Sequence, residues 1–250
     1  MKILFVVNEL NFFLRNHLNL ANRINESNQV TLIADTTKSS QDDLIKLKSM
    51  GIILHSLNRK RGANKLIAYI SYIYSLLKLI RKIEPKYILY ITLELSFFGA
   101  LIKPFSKVKK SIFVITGLGP FFFKRNLKYM LFNKVQQITF LFLSITKNNF
   151  LFVFLNLADQ NLLSKKYNIN QLNTRLIHGE GIDEKEFKFY ERDNSNAKFL
   201  LASRLVQSKG IEIFIAAAKK IKKRFPLAEF SIAGIYDSNN PETISKELYK

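Results

Sequence analysis

The sequence contains no cysteine, and histidine occurs only at positions 17, 55 and 178. Disulfides, thiolate nucleophiles and cysteine-ligated metals are therefore excluded, and a reducing compartment suits the chain. The three histidines form no HxxxH or HExxH pattern, so a zinc site is not expected. Long apolar runs are scarce. Ile3–Val7 gives five apolar residues in a row behind one lysine, without the longer run and small-residue cleavage site of a signal peptide. Leu66–Ile80 is longer, but Ser71, Ser75 and Lys78 interrupt it before it reaches the ~20 residues of a spanning helix. These absences point to a cytoplasmic protein. Glycine is missing from Asn8-Glu9-Leu10-Asn11-Phe12. A dinucleotide-dependent oxidoreductase would carry GxGxxG there, after its first strand, so that class fails.

Acidic residues are the other shortage. Nineteen Asp and Glu face 39 Lys and Arg, a formal net charge of +20. Such an excess concentrates polyanions: nucleic acid, anionic lipid or phosphorylated ligands. Lys, Asn, Ile and Phe are abundant along the whole chain, so compositional bias competes as an explanation of the charge. No nucleic-acid partner is expected. There is no RRM, KH, helix-turn-helix or zinc-finger pattern, and the aromatics fall in core-like runs. Between Phe121 and Phe154 cations and aromatics interleave: Phe121-Phe122-Phe123-Lys124-Arg125, Lys128-Tyr129, Phe132-Asn133-Lys134, Phe140, Phe142 and Lys147. A basic amphipathic helix of this kind lies on an anionic membrane. Phe140-Leu141-Phe142-Leu143 also reads as plain core with a lysine rim.

What is present is a regular α/β alternation in a chain of 250 residues, 48% of them hydrophobic, enough for a buried core. Ile3–Val7, Val30–Ala34, Ile52–Ser56, Tyr87–Thr92, Ser111–Ile115 and Phe150–Leu155 read as strands. Phe13–Asn25, Asp42–Ser49, Lys65–Lys82, Ser96–Ile102 and Asn126–Leu143 read as helices. Continuously apolar strands mean burial on both faces, as in a parallel sheet covered by helices. A second series follows: strand Phe199–Ser203, helix Ile211–Arg224, strand Glu229–Ala233, and a helix Thr243–Tyr249 after Pro241. The polar stretch Glu191–Asn196 suggests a linker within about Leu176–Asn196. The expected domains are 1–178 and 179–250, and the second, with two strands, is expected to be incomplete for a Rossmann-like half.

The most informative segment is Ser203-Arg204-Leu205-Val206-Gln207-Ser208-Lys209-Gly210. Arg204 follows a strand and Gly210 opens a helix. In open α/β sheets, ligands bind at the carboxyl ends of strands, and a helix N-terminus favours an anion. Arg204 offers a planar fork and Lys209 a point charge, so together they suit one diphosphate. Spacing alone also allows two solvated loop cations.

Further segments match a known pattern. Ser203-Arg204-Leu205 with Lys209-Gly210 is followed by Lys223-Arg224-Phe225-Pro226-Leu227-Ala228-Glu229-Phe230-Ser231-Ile232-Ala233-Gly234. Gly179-Glu180-Gly181-Ile182-Asp183 runs through to Phe187. Thr116-Gly117-Leu118-Gly119-Pro120-Phe121-Phe122 lies after the fifth strand. Asp237, Asn240-Pro241 and Ile244 close the chain. In order and spacing these resemble the retaining glycosyltransferases of family 4, which have the GT-B fold of two Rossmann-like domains. Ser203 stands where a glycine is usual.

The resemblance implies transfer of a sugar from a nucleotide diphosphate sugar, UDP-sugar favoured, with retention. It implies a hexosyl- or N-acetylhexosaminyltransferase of surface-polysaccharide or lipid-linked glycan synthesis. Arg204 and Lys209 would be the catalytic cations, neutralising the departing diphosphate in place of a metal, so no metal or other cofactor is expected. Gly179, Glu180, Gly181, Asp183, Ser203 and Gly234 would bind the donor. Gly117 and Gly119 would lie on the acceptor side, the acceptor being polyprenyl-diphosphate-linked or a polysaccharide. Phe13-Leu14-Arg15-Asn16-His17-Leu18 resembles a F-L-S-H-R-L segment that opens the first helix after a flexible loop. It puts Asn16 and His17 on the acceptor side. The implied location is peripheral, at the inner face of the cell membrane.

One departure is large. The family's donor-binding E-x7-E element lies beyond the lysine–glycine turn, and the sequence stops at Lys250 before reaching it; Glu247 has only three residues after it. A truncated gene, an excised fragment and one piece of a split enzyme all fit. The alternative function is a catalytically inactive remnant that binds a membrane or a partner.

Overall fold

A computed structural model describes the chain apart from residues 59–64, 120–121, 123–126, 146–148, 185–186, 192–196, 239–241, 246–247 and 249–250. The chain divides into two compact units, Met1–Glu186 and Phe187–Lys250. This division keeps residues 179–186 with the first unit, whereas the sequence reading began its second domain at 179.

The first unit is built on seven parallel strands: β1 Lys2–Glu9, β2 Gln29–Asp35, β3 Ile53–Ser56, β4 Tyr87–Ile91, β5 Lys110–Ile115, β6 Phe150–Phe154 and β7 Thr174–Leu176. Their order is β3-β2-β1-β4-β5-β6-β7. The helices are α1 Leu10–Asn16, α2 Leu18–Asn25, α3 Gln41–Ser49, α4 Lys65–Ile83, α5 Leu93–Ile102, α6 Leu127–Ile145 and α7 Leu157–Tyr167. The pleat sends successive side chains to opposite faces. Leu4 and Val6 accordingly join one core cluster while Phe5 and Val7 join the other, and Phe150, Phe152 and Phe154 are separated from Val153 in the same way. One cluster holds side chains of α1, α2 and α3. The other holds α4, α5, α6 and α7.

The second cluster is largely aromatic. Phe152 lies 5.1 Å from Phe113 and 5.3 Å from Phe140, whose ring in turn lies 5.1 Å from Tyr167. Such ring pairs add roughly 0.5–1.5 kcal/mol each beyond the area they bury. The run Phe140–Leu143, read two ways from sequence, is split by the structure. Phe140 and Leu143 are core, and Phe142 is 59% exposed. α5 is buried along nearly its whole length. Gly99 is what lets it rest on β4, because a Cβ there would come within 2.6 Å of the Tyr90 ring.

All six strands expected for this unit form. Three details differ from the reading. The helix expected over Phe13–Asn25 starts at Leu10 and breaks at His17 (φ −126°, ψ −3°) into α1 and α2. α1 follows β1 directly, with no intervening loop. α7 was not anticipated: its segment LADQNLLSKKY is mostly polar and buries only Leu163 and Tyr167, one i,i+4 pair. Its start is set by Asn156, whose side chain accepts from the Asp159 amide at 2.8 Å, a strong helix N-cap. The three-residue β7 was also missed.

The second unit pairs β8 Lys198–Ala202 in parallel with β9 Glu229–Ala233 through α8 Ile211–Arg224. Phe199 stacks on Phe230 at 4.8 Å. The helix expected at Thr243–Tyr249 does not begin at Thr243. That residue forms an antiparallel bridge to Val206, and Ile244 turns inward, 3% exposed, against Leu205 and Ile211. Asn240, Pro241 and Glu247 lie outside the described residues.

Candidate functional site

Strand order reverses between β1 and β4, both of which leave the sheet toward the same edge. That switch point is where open α/β sheets bind ligands. Two polar residues stand there. Asn8, near the carboxyl end of β1, donates from Nδ2 to Oγ1 of Thr92, just past β4, at 3.3 Å. Thr92 has φ +100°, an outlier for a β-branched residue. Its Oγ1 also accepts from the Leu95 amide as the N-cap of α5. Backbone strain of this kind gathers at ligand-binding positions. Neither residue was singled out from sequence. A threonine ahead of a helix signals a cap, but nothing in residue type announces its φ.

On the same edge, the α1–α2 break meets the segment that follows β7. His17, the break residue, is 6% exposed. Among the described residues its Nε2 has no hydrogen-bond partner, and Oε1 of Glu180 lies 3.7 Å away, beyond hydrogen-bond reach. Burial lowers the His17 pKa to about 4 and raises that of Glu180. Both shifts have one cause: taking a charge out of water costs free energy, so each group favours its neutral form. Two residues further along α2, Asn19 Nδ2 donates to Asp183 Oδ2 at 3.4 Å. Gly179 and Gly181 both hold φ +76°, which a side chain would strain. The Gly179 amide donates to the Leu155 carbonyl, just past β6. Asn16 is the half-buried last residue of α1. Gly117 and Gly119 follow β5, the first half-buried and the second exposed. Their Pro120 and Phe121 neighbours lie outside the described residues.

In the second unit, Ser203 and Arg204 follow β8. Arg204 and Lys209 are exposed, and no described residue bonds to either side chain. Lys209 closes a 3-10 turn, and Gly210 (φ +72°) leads into α8 without a capping side chain. The loop is anchored rather than loose. The Gln207 amide donates to the Glu242 carbonyl, the Ile244 amide to the Leu205 carbonyl, and the Ser208 hydroxyl to the Glu242 carboxylate. Gly234 follows β9, where a Cβ would collide with the Ser203 carbonyl oxygen. Close backbone approach is a packing reason for that glycine, sufficient without a ligand. Among the described residues, no three acidic or histidine side chains gather as metal ligands.

Residues 2–150 match the glycosyl transferase 4-like family, more than half of the chain. The chain belongs to that family. No curated protein matches it in sequence. Solved structures share the fold. Sucrose-phosphate synthase from Thermosynechococcus elongatus is 11% identical at a TM-score of 0.65, over 97% of this chain and 64% of that one. HepE from Anabaena, in complex with UDP and glucose, is 15% identical at 0.59, over 94% and 62%. The UDP-GlcNAc 2-epimerase of Neisseria meningitidis, bound to UDP-GlcNAc, is 17% identical at 0.56, over 96% and 67%. The chain thus spans about two thirds of these neighbours' length and has the Rossmann-like α/β fold of GT-B glycosyltransferases.

Proposed function

We propose that this protein transfers a sugar from a nucleotide diphosphate sugar, with UDP as the favoured nucleotide. The observation that carries the reading is the family match, which covers β1 to β5 with the switch point among them. Fold neighbours solved with UDP or UDP-GlcNAc favour the same ligand class. Arg204 and Lys209 would neutralise the diphosphate as it leaves, a task met by fixed cations without a metal. Ser203 and Gly234 would border the same ligand. Gly179, Glu180, Gly181 and Asp183 would serve the donor, and Asn16, His17, Gly117 and Gly119 the acceptor. A neutral imidazole and a carboxyl suit hydroxyl groups better than phosphates. The acceptor would be a lipid-linked or polysaccharide sugar, reached from the inner face of the cell membrane, and the transfer would retain configuration at the anomeric carbon.

Calorimetry with UDP and uridine tests the donor half. UDP is expected to bind more tightly. A hydrogen bond to a charged group is worth about 1.5–3 kcal/mol, so Arg204→Ala should weaken UDP roughly 10- to 100-fold and leave uridine unaffected. Equal UDP affinity in the variant removes the diphosphate role. Product analysis with UDP-sugars and glycan acceptors then separates transfer from donor hydrolysis.

A further inference from the structure

Arg204 and Lys209 are exposed cations whose side chains no described residue holds, yet the backbone between them is fixed. Residues 205–207 run against residues 242–244 as a short antiparallel ladder. Around the Val206–Thr243 bridge, the Ile244 amide donates to the Leu205 carbonyl at 3.1 Å and the Gln207 amide to the Glu242 carbonyl at 2.8 Å. Side chains repeat the tie. The Ser208 hydroxyl donates to Glu242 Oε2 at 3.2 Å, and buried Ile244 packs with Leu205 and Ile211. The Thr243 hydroxyl donates to the Asp237 carbonyl at 2.5 Å, joining the segment to the chain after β9. Each cation leaves the backbone beside this ladder. The Arg204 carbonyl accepts from the Val206 amide at 2.8 Å and from the Ser203 hydroxyl at 3.1 Å. The Lys209 amide donates to the Val206 carbonyl at 3.0 Å.

The contact is local to the turn. β8, β9 and α8 are joined without it, by the parallel pairing of the two strands and by Phe199 and Phe214 packing on Phe230. What residues 242–244 add is a second anchor for the turn itself, contributed from beyond β9. A loose loop with two long cations must be ordered when an anion binds, and that cost is lost from the affinity. Cations set on a fixed backbone keep more of it, because their positions are settled before the ligand arrives.

We propose that residues 242–244 are a positioning strap for the diphosphate turn, with Glu242 and Ile244 acting through Arg204 and Lys209 rather than on the ligand. The proposal rests on the diphosphate role given to those two cations above. Calorimetry of the full chain with UDP and uridine tests it, in a cycle that combines Ile244→Ala with Arg204→Ala. Ile244→Ala alone should weaken UDP roughly three- to tenfold and leave uridine unchanged. In the Arg204→Ala background the same change should cost much less, because the strap then has only Lys209 to place. Ile244→Val keeps most of the buried side chain and should recover most of the affinity. Ser208→Ala, at an exposed position, removes the hydroxyl that holds Glu242. It should give a smaller loss with the same dependence on Arg204, and it decides the matter if Ile244→Ala does not fold. Full UDP affinity in both Ile244→Ala and Ser208→Ala overturns the proposal. So do equal losses with and without Arg204, or parallel losses of UDP and uridine, which would mark a general fold defect. Loss of UDP affinity in Arg204→Ala with none in the strap variants removes the strap alone. Unchanged affinity in Arg204→Ala removes the diphosphate role, and the strap with it.

Discussion

Burial of His17 makes a definite demand on the acid side of neutrality. An unfolded histidine takes up its proton near 6.5, whereas the folded side chain waits until about 4. The folded pKa is lowered, so below the unfolded value the unfolded chain binds more protons, and stability falls as pH falls. From these two values, moving from about pH 7 to about pH 5 should cost about 2 kcal/mol through this residue. Most of the remainder follows by about pH 4. Glu180 works in the opposite sense, because its raised pKa relieves a buried carboxylate as it protonates. Comparing wild type with His17→Phe isolates the histidine. Phenylalanine keeps the edge contact with Phe12, 5.3 Å away, and has no proton to gain. Urea midpoints at the two pH values should fall more for wild type than for the variant. Imidazole resonances should show one histidine that stays neutral to below about pH 5. Equal pH dependence of the two proteins, with His17 titrating near its ordinary value, would refute the argument.

Two further outcomes test packing. Gly234→Ala forces a methyl against the Ser203 carbonyl oxygen. It should destabilise the second unit by about 1–3 kcal/mol in urea melts, and an unaltered midpoint would show that the strands part freely. Tyr167→Phe removes a hydroxyl that donates to buried Gln136 Oε1 at 2.6 Å. The orphaned acceptor should cost about 1–3 kcal/mol, part of it recovered in Tyr167→Phe/Gln136→Leu; no loss in the single variant would mean that water replaces the hydroxyl.

Six of the seven strands of the first unit were legible because burial on both faces leaves one trace, a short run of Val, Ile, Leu and Phe, which three-residue β7 is too short to show. β6, with the sequence FLFVF, could hardly be anything else. Helices were legible where an apolar stripe was long, as in α4 and α6. α7 was not, because one buried pair and a cap position it. The α1–α2 break was hidden because buried Phe13, His17 and Ala21 keep i,i+4 spacing straight through it; only the backbone angles of His17 reveal it. At the other end, Pro241 and the spacing after it favoured a helix from Thr243, and a tertiary bridge to Val206 won. Motif order exposed the Gly179–Asp183 and Arg204–Lys209 segments, yet not their partners. The approach of Glu180 to His17, and the hydrogen bond from Asn19 to Asp183, span more than 160 residues of chain.

Thr92 shows why the switch-point edge was the least legible part and is among the best fixed. A β-branched residue at φ +100° costs on the order of 1–3 kcal/mol and persists only where its surroundings over-determine it. They do so here. The Thr92 amide donates to the Val114 carbonyl, tying it to β5, and its carbonyl accepts from the Ser96 amide inside α5. Its hydroxyl receives the Leu95 amide and the Asn8 side chain. Each of those bonds belongs to an ordinary strand, cap or helix start, and only their convergence forces the unusual angle. Glycine would take that angle without strain but would lose the hydroxyl that joins β1 to α5. Threonine therefore keeps a fixed polar link between β1 and α5 at the expense of a relaxed backbone.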